Sequence, residues 1–597
     1  MKEQIRQFYR QKAETLSAEI KRLKKRNTIF VVSELTSFAL VIAAVVAYVS
    51  TDTGYTYLYI AVLMLVAYIL IRRADISNAN RITQQEDRRS VYQKESGYLN
   101  GNFSMFGDGA QYIDAQHPYT FDMDIFGRDS LFNRLNRTIT TGGSDWLAKE
   151  LTTLSCEDIK DRQQAIRELA EHEPLRSRFL AFGQRKMINT SAILSALEGI
   201  KKEKESKKRS RISAFLAVIA TIGLWVVILL ATVVILPTSI ALLWAFLQFG
   251  IVFAANNTAF LQANKAVNRM HKELSTYVSL IMLIVESGLT AEESRDIICK
   301  LRGDHNNALE SFSELQHILD GLDRQGNPLY RFLSDTLFCY DLWIIRQFQR
   351  WQEHNLLQVE DWIESVSHFD ALVSMATFCY NEPTAIDAEI IEADAVVYDA
   401  EGLCHPFLGE QAVSNDFTLQ DSHYYIITGA NMAGKSTFLR TIGVNYILAR
   451  CGIPVFAKHF RVSRFALFSS MRTTDNLTQG ISYFNAELLR LQQLITFCRQ
   501  QPRTLIILDE ILKGTNSLDK LNGSRLFLEY IQQLPVTGII ATHDLELSKM
   551  ADEHPDRFHN YCFEIELSDN IIYSYKITEG VARNQNATFL LQNIVLS

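Results

Sequence analysis

The sequence has few features of a disulfide-bonded, metal-binding or strongly basic protein. Its eight cysteines are scattered singly, and no Cys-x-x-Cys pair supplies the ligand spacing of a zinc site. We therefore expect buried thiols in a reducing compartment. The formal net charge is −7 over 597 residues, which excludes a global nucleic-acid footprint but not a local basic face. The first apolar run starts near Thr28 behind a charged segment, so we expect no cleavable signal peptide.

Long apolar runs are present, and they come in two pairs. The first pair covers residues 28–50 and 56–71, and the second covers 212–236 and 240–255. Each run is about as long as a membrane crossing requires, roughly 17–25 residues, and very short loops join each pair. The runs therefore predict two membrane hairpins, although four buried core helices of a soluble protein would give the same runs.

Basic residues flank both pairs, at 21–26, 72–73 and 201–211. By the positive-inside rule, they predict that both termini and the middle segment lie in the cytosol. The run KKEKESKKRSR (201–211) is interpreted as a surface anchor attracted to anionic lipid, with DNA binding as the alternative. Glu34 lies within the first span, where we expect it to snorkel or pair near the interface.

The stretch YYIITGANMAGKSTFLRTIG (424–443) predicts a strand, a glycine-bounded loop and a helix start. Within it, Gly-x-x-x-x-Gly-Lys-Ser is the P-loop pattern, whose backbone N–H groups and helix N-terminus cradle phosphate oxygens. Lys435 would supply a point charge to the β- and γ-phosphates, and the Ser436 hydroxyl would ligate Mg²⁺. We assign nucleotide binding to the whole loop: Gly429, Ala430, Asn431, Met432, Ala433, Gly434, Lys435, Ser436 and Thr437.

Two further apolar strands end in polar residues that suit this loop. TLIILDE (504–510) ends in Asp509, the expected second Mg²⁺ ligand, and in Glu510, which would polarise the attacking water. TGIIATHD (537–544) brings His543 to the same edge, because ligands bind beyond the carboxyl ends of parallel strands. We interpret His543 as a γ-phosphate sensor. The alternatives are a solvated strand end for the carboxylates and a structural role for the histidine.

Together these segments resemble the MutS family of mismatch-repair ATPases. TGANMAGKST (428–437) resembles that family's P-loop, LDEILKGTNSLD (508–519) its Walker B segment, and ATHDLEL (541–547) its histidine switch. DNLTQGISYFNAEL (475–488) resembles the segment that reaches the partner subunit's nucleotide, which implies that Ser482 contacts a γ-phosphate bound by the other protomer. Segments at 130–151, 161–179, 369–383 and 402–408 resemble the family's helical core and the junction of its lever with the ATPase.

The departures from the family limit what the resemblance implies. The mismatch-reading domain should precede the core, yet no Phe-x-Glu wedge occurs in the first 120 residues. Hairpin 2 (211–259) stands at about the place of the family's DNA clamp. Ala412 stands at about the place of the aromatic that packs on adenine, which leaves base selectivity open.

The expected fold is multidomain, with four transmembrane helices in two hairpins, an all-α MutS-like core and lever, and a C-terminal α/β P-loop ATPase of ABC-like type. The expected boundaries are a basic amphipathic segment at 1–27, hairpin 1 at 28–73, a cytosolic linker at 74–114, the first segment of the helical core at 115–210, hairpin 2 at 211–259, the remainder of the core with the lever at 260–395, and the ATPase at 396–597.

The motifs and the resemblance imply a Mg²⁺-dependent ATPase that binds and hydrolyses ATP in a dimeric composite site and is coupled to DNA binding or DNA repair. The apolar runs and their basic flanks predict that it is a multi-pass protein of the cytoplasmic membrane. The expected partners are a second copy, membrane lipids, DNA, and an unidentified repair or membrane protein. The alternative is a membrane machine or scaffold that moves its hairpins without touching DNA. An ABC transporter is disfavoured, because no Leu-Ser-Gly-Gly-Gln signature occurs and two separated hairpins make a poor substrate pathway.

Overall fold

The structure is a computed structural model that describes residues 1–50, 55–201, 207–233, 237–303, 307–325, 328–430, 432–472, 483–567 and 571–583. The helices found in these ranges are α1 Lys2–Ser50, α2 Thr56–Leu99, α3 Leu131–Leu135, α4 Thr141–Thr153, α5 Ile159–Glu171, α6 Glu173–Ala181, α7 Thr190–Lys201, α8 Lys207–Thr232, α9 Thr238–Val285, α10 Glu292–Arg302, α11 Ala308–Arg324, α12 Pro328–Phe338, α13 Tyr340–Asn381, α14 Lys435–Arg450, α15 Tyr483–Gln500, α16 Ser517–Ile531 and α17 Met550–Glu553. The strands are β1 Glu389–Ile391, β2 Tyr398–Leu403, β3 Asn415–Leu419, β4 Tyr424–Gly429, β5 His459–Ser463, β6 Ala466–Ser470, β7 Thr504–Asp509, β8 Val536–Thr542, β9 Phe558–Leu567 and β10 Ile571–Glu579.

The chain divides into two compact units. Unit 1 comprises residues 1–101, 138–145 and 172–371, and unit 2 comprises 102–137, 146–171 and 372–597. Unit 1 is helical, and the strands β1–β10 all belong to unit 2. The molecule is therefore mostly helical with mixed sheets in its C-terminal region, as the sequence predicts; the seven domain boundaries stay predictions.

Helices α1 and α2 of unit 1 form a long antiparallel pair. In its first half, Lys24 lies 2.7 Å from Glu86, and the rings of Tyr9 and Tyr92 are 6.1 Å apart. Further along, Glu34 pairs with Arg72 at 3.2 Å, so the acidic residue of the first apolar run has a basic partner on the second helix. Beyond that pair, most of the large apolar side chains of both helices are exposed.

Two of the four predicted membrane helices have the length and apolar character to cross a membrane. Among the described residues these are α1 and α2, whose most apolar windows are only 11% and 6% buried. The described apolar stretches of α8 and α9 are shorter, Ile219–Thr232 and Thr238–Gly250. Among the described residues, the prediction of four spans is therefore corrected to two. Hydropathy also does not record that α8 and α9 turn some of their described surface towards protein.

That protein neighbour is α12, which packs against the middle of hairpin 2. The buried Gln248 amide donates to the Thr336 carbonyl and to Cys339 Sγ, both at 3.1 Å. Phe249 and Phe332 meet edge to face, with their ring centroids 5.0 Å apart. Hairpin 2 is thus fixed to the helical body by polar as well as aromatic contacts.

A buried carboxylate ties the segment 138–145 to α13 in unit 1. Asp370 is fully buried and accepts hydrogen bonds from the backbone N–H groups of Ile139 and Thr140 and from the Thr140 hydroxyl. A Cβ on Gly143 would lie 2.3 Å from an Asp370 oxygen, so this close approach requires glycine. The Thr-Thr-Gly-Gly stretch at 140–143 is therefore shaped to cover one carboxyl group, whose pKa burial raises to about 7.

Unit 2 contains two sheets. The larger has strand order β10-β9-β4-β8-β7-β6, in which β9, β4, β8, β7 and β6 run parallel and only the edge strand β10 is antiparallel. The smaller has the order β1-β5-β2-β3. Strands β4 and β8 are buried along their whole length, which explains their unbroken apolar sequences. Their carboxyl ends, with that of β7, define the edge where the polar residues collect.

Candidate nucleotide-binding site

The loop between β4 and α14 makes a tight turn that few residue types permit. Gly429, Met432 and Gly434 have φ values of +155°, +66° and +107°, the region that glycine occupies most readily. Met432 is 77% exposed, whereas Ala430 and Ala433 are buried. Thr437 is exposed on the first turn of α14. Asn431, which the sequence also assigns to this loop, lies outside the described residues.

Lys435, the first residue of α14, folds back into this loop. Its ammonium group donates to the carbonyl oxygens of Gly429 and Ala430 at 2.8 and 2.9 Å, and the side chain is buried. Burial lowers the pKa of Lys435 to about 8, against the opposing effect of the carboxylates of Asp509 and Glu510. Because this buried ammonium group is bound to neutral carbonyl oxygens within the loop, an anion such as phosphate would be a better partner for it.

Ser436 and Asp509 come together from neighbouring elements. The Ser436 hydroxyl donates to Asp509 Oδ2 at 2.5 Å, across 73 residues of sequence. Asp509 stands opposite Ala541 in the register of β7 and β8. The sheet therefore places the end of β7 beside the end of β8, the strand that leads to His543.

Glu510 lies just beyond the strand end, held by its backbone and by two neighbouring side chains. Its φ is +60°, and its N–H donates to the Ala541 carbonyl at 2.9 Å. The carboxylate lies 3.5 Å from His543 Nε2 and 3.4 Å from Lys520 Nζ. Burial and the Lys435 charge lower the pKa of His543, which favours its neutral form. The sheet edge thus brings together the predicted residues Lys435, Ser436, Asp509, Glu510 and His543.

Three residues at this site were missed by the sequence analysis. Lys520 lies on α16, and nothing in its surroundings in the sequence marks it as a partner of Glu510. Glu487 of α15 is buried and accepts the N–H groups of Lys513 and Gly514 at 3.0 and 2.9 Å, which fixes the loop after Glu510. Tyr575 of β10 lies over Gly434: a Cβ on that glycine would stand 3.1 Å from its ring. Only the fold could reveal these long-range contacts.

The oxygen ligands at this edge suit Mg²⁺. No group of three or more His, Cys, Asp or Glu side chains that could hold a metal occurs among the described residues. Mg²⁺ typically takes only one or two protein ligands and completes its shell with phosphate oxygens and water. The hydroxyl of Ser436 and the carboxylate of Asp509 are oxygen ligands in mutual contact, so these two residues fit that ion. Ser482, predicted to act across a dimer, lies outside the described residues.

The region that contains this site matches a family model. Residues 425–589 match MutS domain V, a segment that begins within β4 and includes the loop, Asp509, Glu510, His543 and Tyr575.

Individual relatives agree with the family match. The chain is 29% identical over 231 residues to the DNA mismatch repair protein MutS of Fervidobacterium nodosum, covering 38% of this chain and 27% of that protein. It is 34% identical over 175 residues to the protein of the same name from Bartonella henselae, covering 28% and 19%. It is 28% identical over 251 residues to MutS protein homolog 4 of Homo sapiens, covering 39% and 25%.

The matched region spans only about a quarter of the length of these relatives. Within that region, the family model, the relatives and the polar residues at the sheet edge all indicate a MutS domain V. Residues 425–589 are therefore assigned to the MutS family, as its domain V.

Proposed function

We propose that this chain is a membrane-attached, Mg²⁺-dependent ATPase of the MutS type, whose C-terminal region is a P-loop ATPase domain. The observation that carries the proposal is the Ser436–Asp509 hydrogen bond beside a buried, carbonyl-bound Lys435. A hydroxyl, a carboxylate and a lysine at the N-terminus of a helix are the groups that a magnesium–nucleotide complex needs. Relatives named DNA mismatch repair protein MutS add support for this site alone, because they match only this region of the chain.

The roles of the chain's residues follow from their placement. Lys435 exchanges the carbonyls of Gly429 and Ala430 for phosphate oxygens, and Ser436 with Asp509 holds the metal ion. ATP with Mg²⁺, when bound, supplies the phosphoanhydride bond and the metal's charge. Glu510 orients a water molecule and accepts its proton. His543 lies between Lys435 and Glu510, 3.4 and 3.5 Å from them, and so links the phosphate side of the site to the base.

Tyr575 supplies an aromatic ring beside the loop, whereas Ala412, at about the place of the family's adenine-packing aromatic, supplies none. Tyr575 is 44% exposed and its ring lies over Gly434, which precedes α14. We propose that this ring covers the nucleotide. A second copy of the chain would complete the site through Ser482. Mixing Lys435→Ala with Ser482→Ala protein should then restore turnover in heterodimers, and no recovery in dimers shown to form would contradict a shared site.

The membrane attachment in this proposal rests on α1 and α2, whose exposed apolar faces continue past the Glu34–Arg72 pair. A chain so attached would hold its units in the cytosol, given the basic flanks at 21–26 and 72–73.

In the first function the ATPase is coupled to DNA binding or repair. A second candidate function is an ATP-driven membrane machine that does not bind DNA, and the lack of a Phe-x-Glu wedge in the first 120 residues favours it. DNA binding would show a steep salt dependence, because phosphate contacts release counterions. A duplex titration between low and physiological salt with the full chain in detergent separates the two functions.

The experiment that tests the ATPase is Glu510→Gln. The substitution keeps the shape and the binding charges but removes the base, so ATP binding should persist while turnover falls about 10²- to 10⁴-fold. Glu529→Gln, a surface carboxylate of α16 paired with Arg525, is the matched control and should leave turnover unchanged. Hydrolysis by Glu510→Gln at the wild-type rate would refute the assigned role.

A further inference from the structure

The segment that follows β7 has a strained backbone. Glu510 and Leu512 have φ values of +60° and +58°, a region that residues other than glycine rarely occupy because their Cβ crowds the backbone. Such conformations persist only where the surrounding structure holds the backbone in place. The contacts that hold residues 510–514 therefore decide where the Glu510 carboxylate lies.

The sheet and the core hold the first part of this segment. The Glu510 N–H donates to the carbonyl of Ala541, near the end of β8. The side chains of Ile511 and Leu512 are buried in the hydrophobic core of unit 2. A Cβ on Gly523 of α16 would lie 2.5 Å from Leu512 Cδ1, so this helix packs closely against the segment. These contacts fix the first three residues of the segment and leave its far end to another partner.

That partner is Glu487 of α15, whose side chain is buried. Its two carboxylate oxygens accept the backbone N–H groups of Lys513 and Gly514, one each, at 3.0 and 2.9 Å. Hydrogen bonds from N–H groups to a carboxylate are stronger than those between neutral groups. Glu487 therefore holds the far end of the strained segment with two strong bonds.

Helix α15 is itself attached to the sheet, so Glu487 is a fixed acceptor. Arg490 lies about one turn further along α15 and donates to the carbonyl of Ser469 at 2.7 Å and to that of Pro118 at 3.0 Å. Its guanidinium also lies 4.4 Å from the centroid of the Phe468 ring. Ser469 and Phe468 both belong to β6. Through α15, Glu487 thus connects the strained segment to the far edge of the sheet.

We propose that Glu487 is a positioning residue for ATP hydrolysis. By holding the far end of the segment, it keeps the backbone in the strained conformation that places the Glu510 carboxylate beside His543. Without this hold, Glu510 and Leu512 relax to ordinary φ values, and the carboxylate turns away from the attacking water. The proposal rests on the proposed ATPase function and adds to it a residue that acts only through Glu510.

The expected signature is a loss of turnover without a loss of ATP binding. Glu487→Met keeps the length of the side chain but removes both carboxylate oxygens. Because a displaced catalytic group can slow a reaction by about 10²-fold, turnover should fall about 10- to 100-fold. ATP affinity should stay close to the wild-type value, because Lys435, Ser436 and Asp509 lie outside the segment.

Two further variants separate the hydrogen bonds from the packing of α15. Glu487→Gln keeps one acceptor oxygen, so its turnover should lie between those of the wild type and Glu487→Met. Gln492→Met places the same new side chain at an exposed position of α15 and should leave turnover unchanged. Steady-state kinetics give kcat, and titration with a fluorescent ATP analogue gives affinity, both with the full chain in detergent.

The sharpest test combines Glu487→Met with Glu510→Gln. If Glu487 acts through Glu510, the added substitution should change the residual single-turnover rate by less than about twofold. A second loss as large as that in the wild-type background would show that Glu487 acts independently of Glu510, which overturns the proposal. A fall in ATP affinity large enough to explain the lost turnover of Glu487→Met would indicate a structural role and overturn it as well.

The same measurements distinguish this proposal from the proposed ATPase. Wild-type turnover in Glu487→Met, together with lost turnover in Glu510→Gln, would overturn the positioning role and leave the ATPase in place. Absence of ATP hydrolysis in the wild type, or wild-type turnover in Glu510→Gln, would overturn both.

Discussion

Helix α14 of unit 2 and helices α1 and α2 of unit 1 are both rich in apolar residues, but they use them in opposite ways. Thirteen of the sixteen residues of α14 are buried, the charged Lys435 among them. The apolar windows of α1 and α2 are nearly all exposed. In α14, apolar packing fixes the start of the helix, where a charge must be positioned. In α1 and α2 most of the large apolar side chains beyond the Glu34–Arg72 pair are exposed and require another medium. The comparison predicts that ATP binding and hydrolysis, on one hand, and membrane attachment, on the other, can be abolished independently by mutation.

The largest effect is expected at Lys435. Lys435→Ala removes the charge that would bind phosphate, and ATP affinity should fall at least about 100-fold, or about 2.7 kcal/mol. The fraction of protein that is bound to membranes should stay unchanged. Titration with a fluorescent ATP analogue and membrane flotation measure the two properties. Lys549→Ala, an exposed lysine, is the control. Wild-type ATP affinity in Lys435→Ala would contradict the assignment of this site.

The next largest effect, on the stability of unit 1, is expected from substitution of Asp370. Asp370→Ala leaves the N–H groups of Ile139 and Thr140 buried without their acceptor, at a cost of roughly 2 kcal/mol in unfolding free energy. Asp370→Asn keeps one acceptor oxygen and should lose less. Urea unfolding followed by circular dichroism measures both variants in detergent. Equal stability of Asp370→Ala and the wild type would show that the segment 138–145 is held by other contacts.

A smaller effect, on turnover, is expected from substitution of Lys520 in unit 2. The ion pair with Glu510 must loosen before that carboxylate can turn to a water molecule. Lys520→Met should therefore raise turnover about two- to fivefold with little change in ATP affinity, as suits a partly buried pair worth roughly 0.5–1 kcal/mol. Steady-state kinetics of this variant and of Lys549→Met provide the comparison. A drop in turnover would mean that Lys520 positions Glu510 instead of restraining it.

The smallest difference is expected between two DNA duplexes. The sequence has no Phe-x-Glu wedge in its first 120 residues, so DNA affinity, if any, should come from phosphate contacts alone. Titration against a homoduplex and a single G·T heteroduplex at one salt concentration should give affinities within about tenfold, or 1.4 kcal/mol. A larger preference would show that another surface reads the mismatch.

The sequence predicts best where structure is local. The strand, loop and helix at 424–443 appear as β4, a tight turn and α14, and the apolar run before Glu510 is β7. Asp509 and His543 could be placed at one edge because parallel strands share their carboxyl ends. The contacts of Lys520, Glu487 and Tyr575 could not be placed, since they depend on how α15, α16 and β10 pack.

The same limit explains the membrane helices. Hydropathy identifies both hairpins, but it does not record what an apolar residue faces. Gln248 reaches Thr336 across 88 residues of sequence, and no local pattern announces that contact. Whether an apolar helix is free to meet lipid is decided by such distant partners, which here distinguish hairpin 1 from hairpin 2.

The length of α2 also has an electrostatic consequence. Arg88, which donates to Ser177 of α6 at 3.2 Å, lies sixteen positions after Arg72, at the end of the apolar run. In a chain attached as proposed, the helix holds α6 about 24 Å above the lipid headgroups. The screening length is about 8 Å at physiological ionic strength and about 30 Å at 0.01 M. The negative potential of the membrane therefore fades before it reaches α6 in the cell, but would extend to it in dilute buffer.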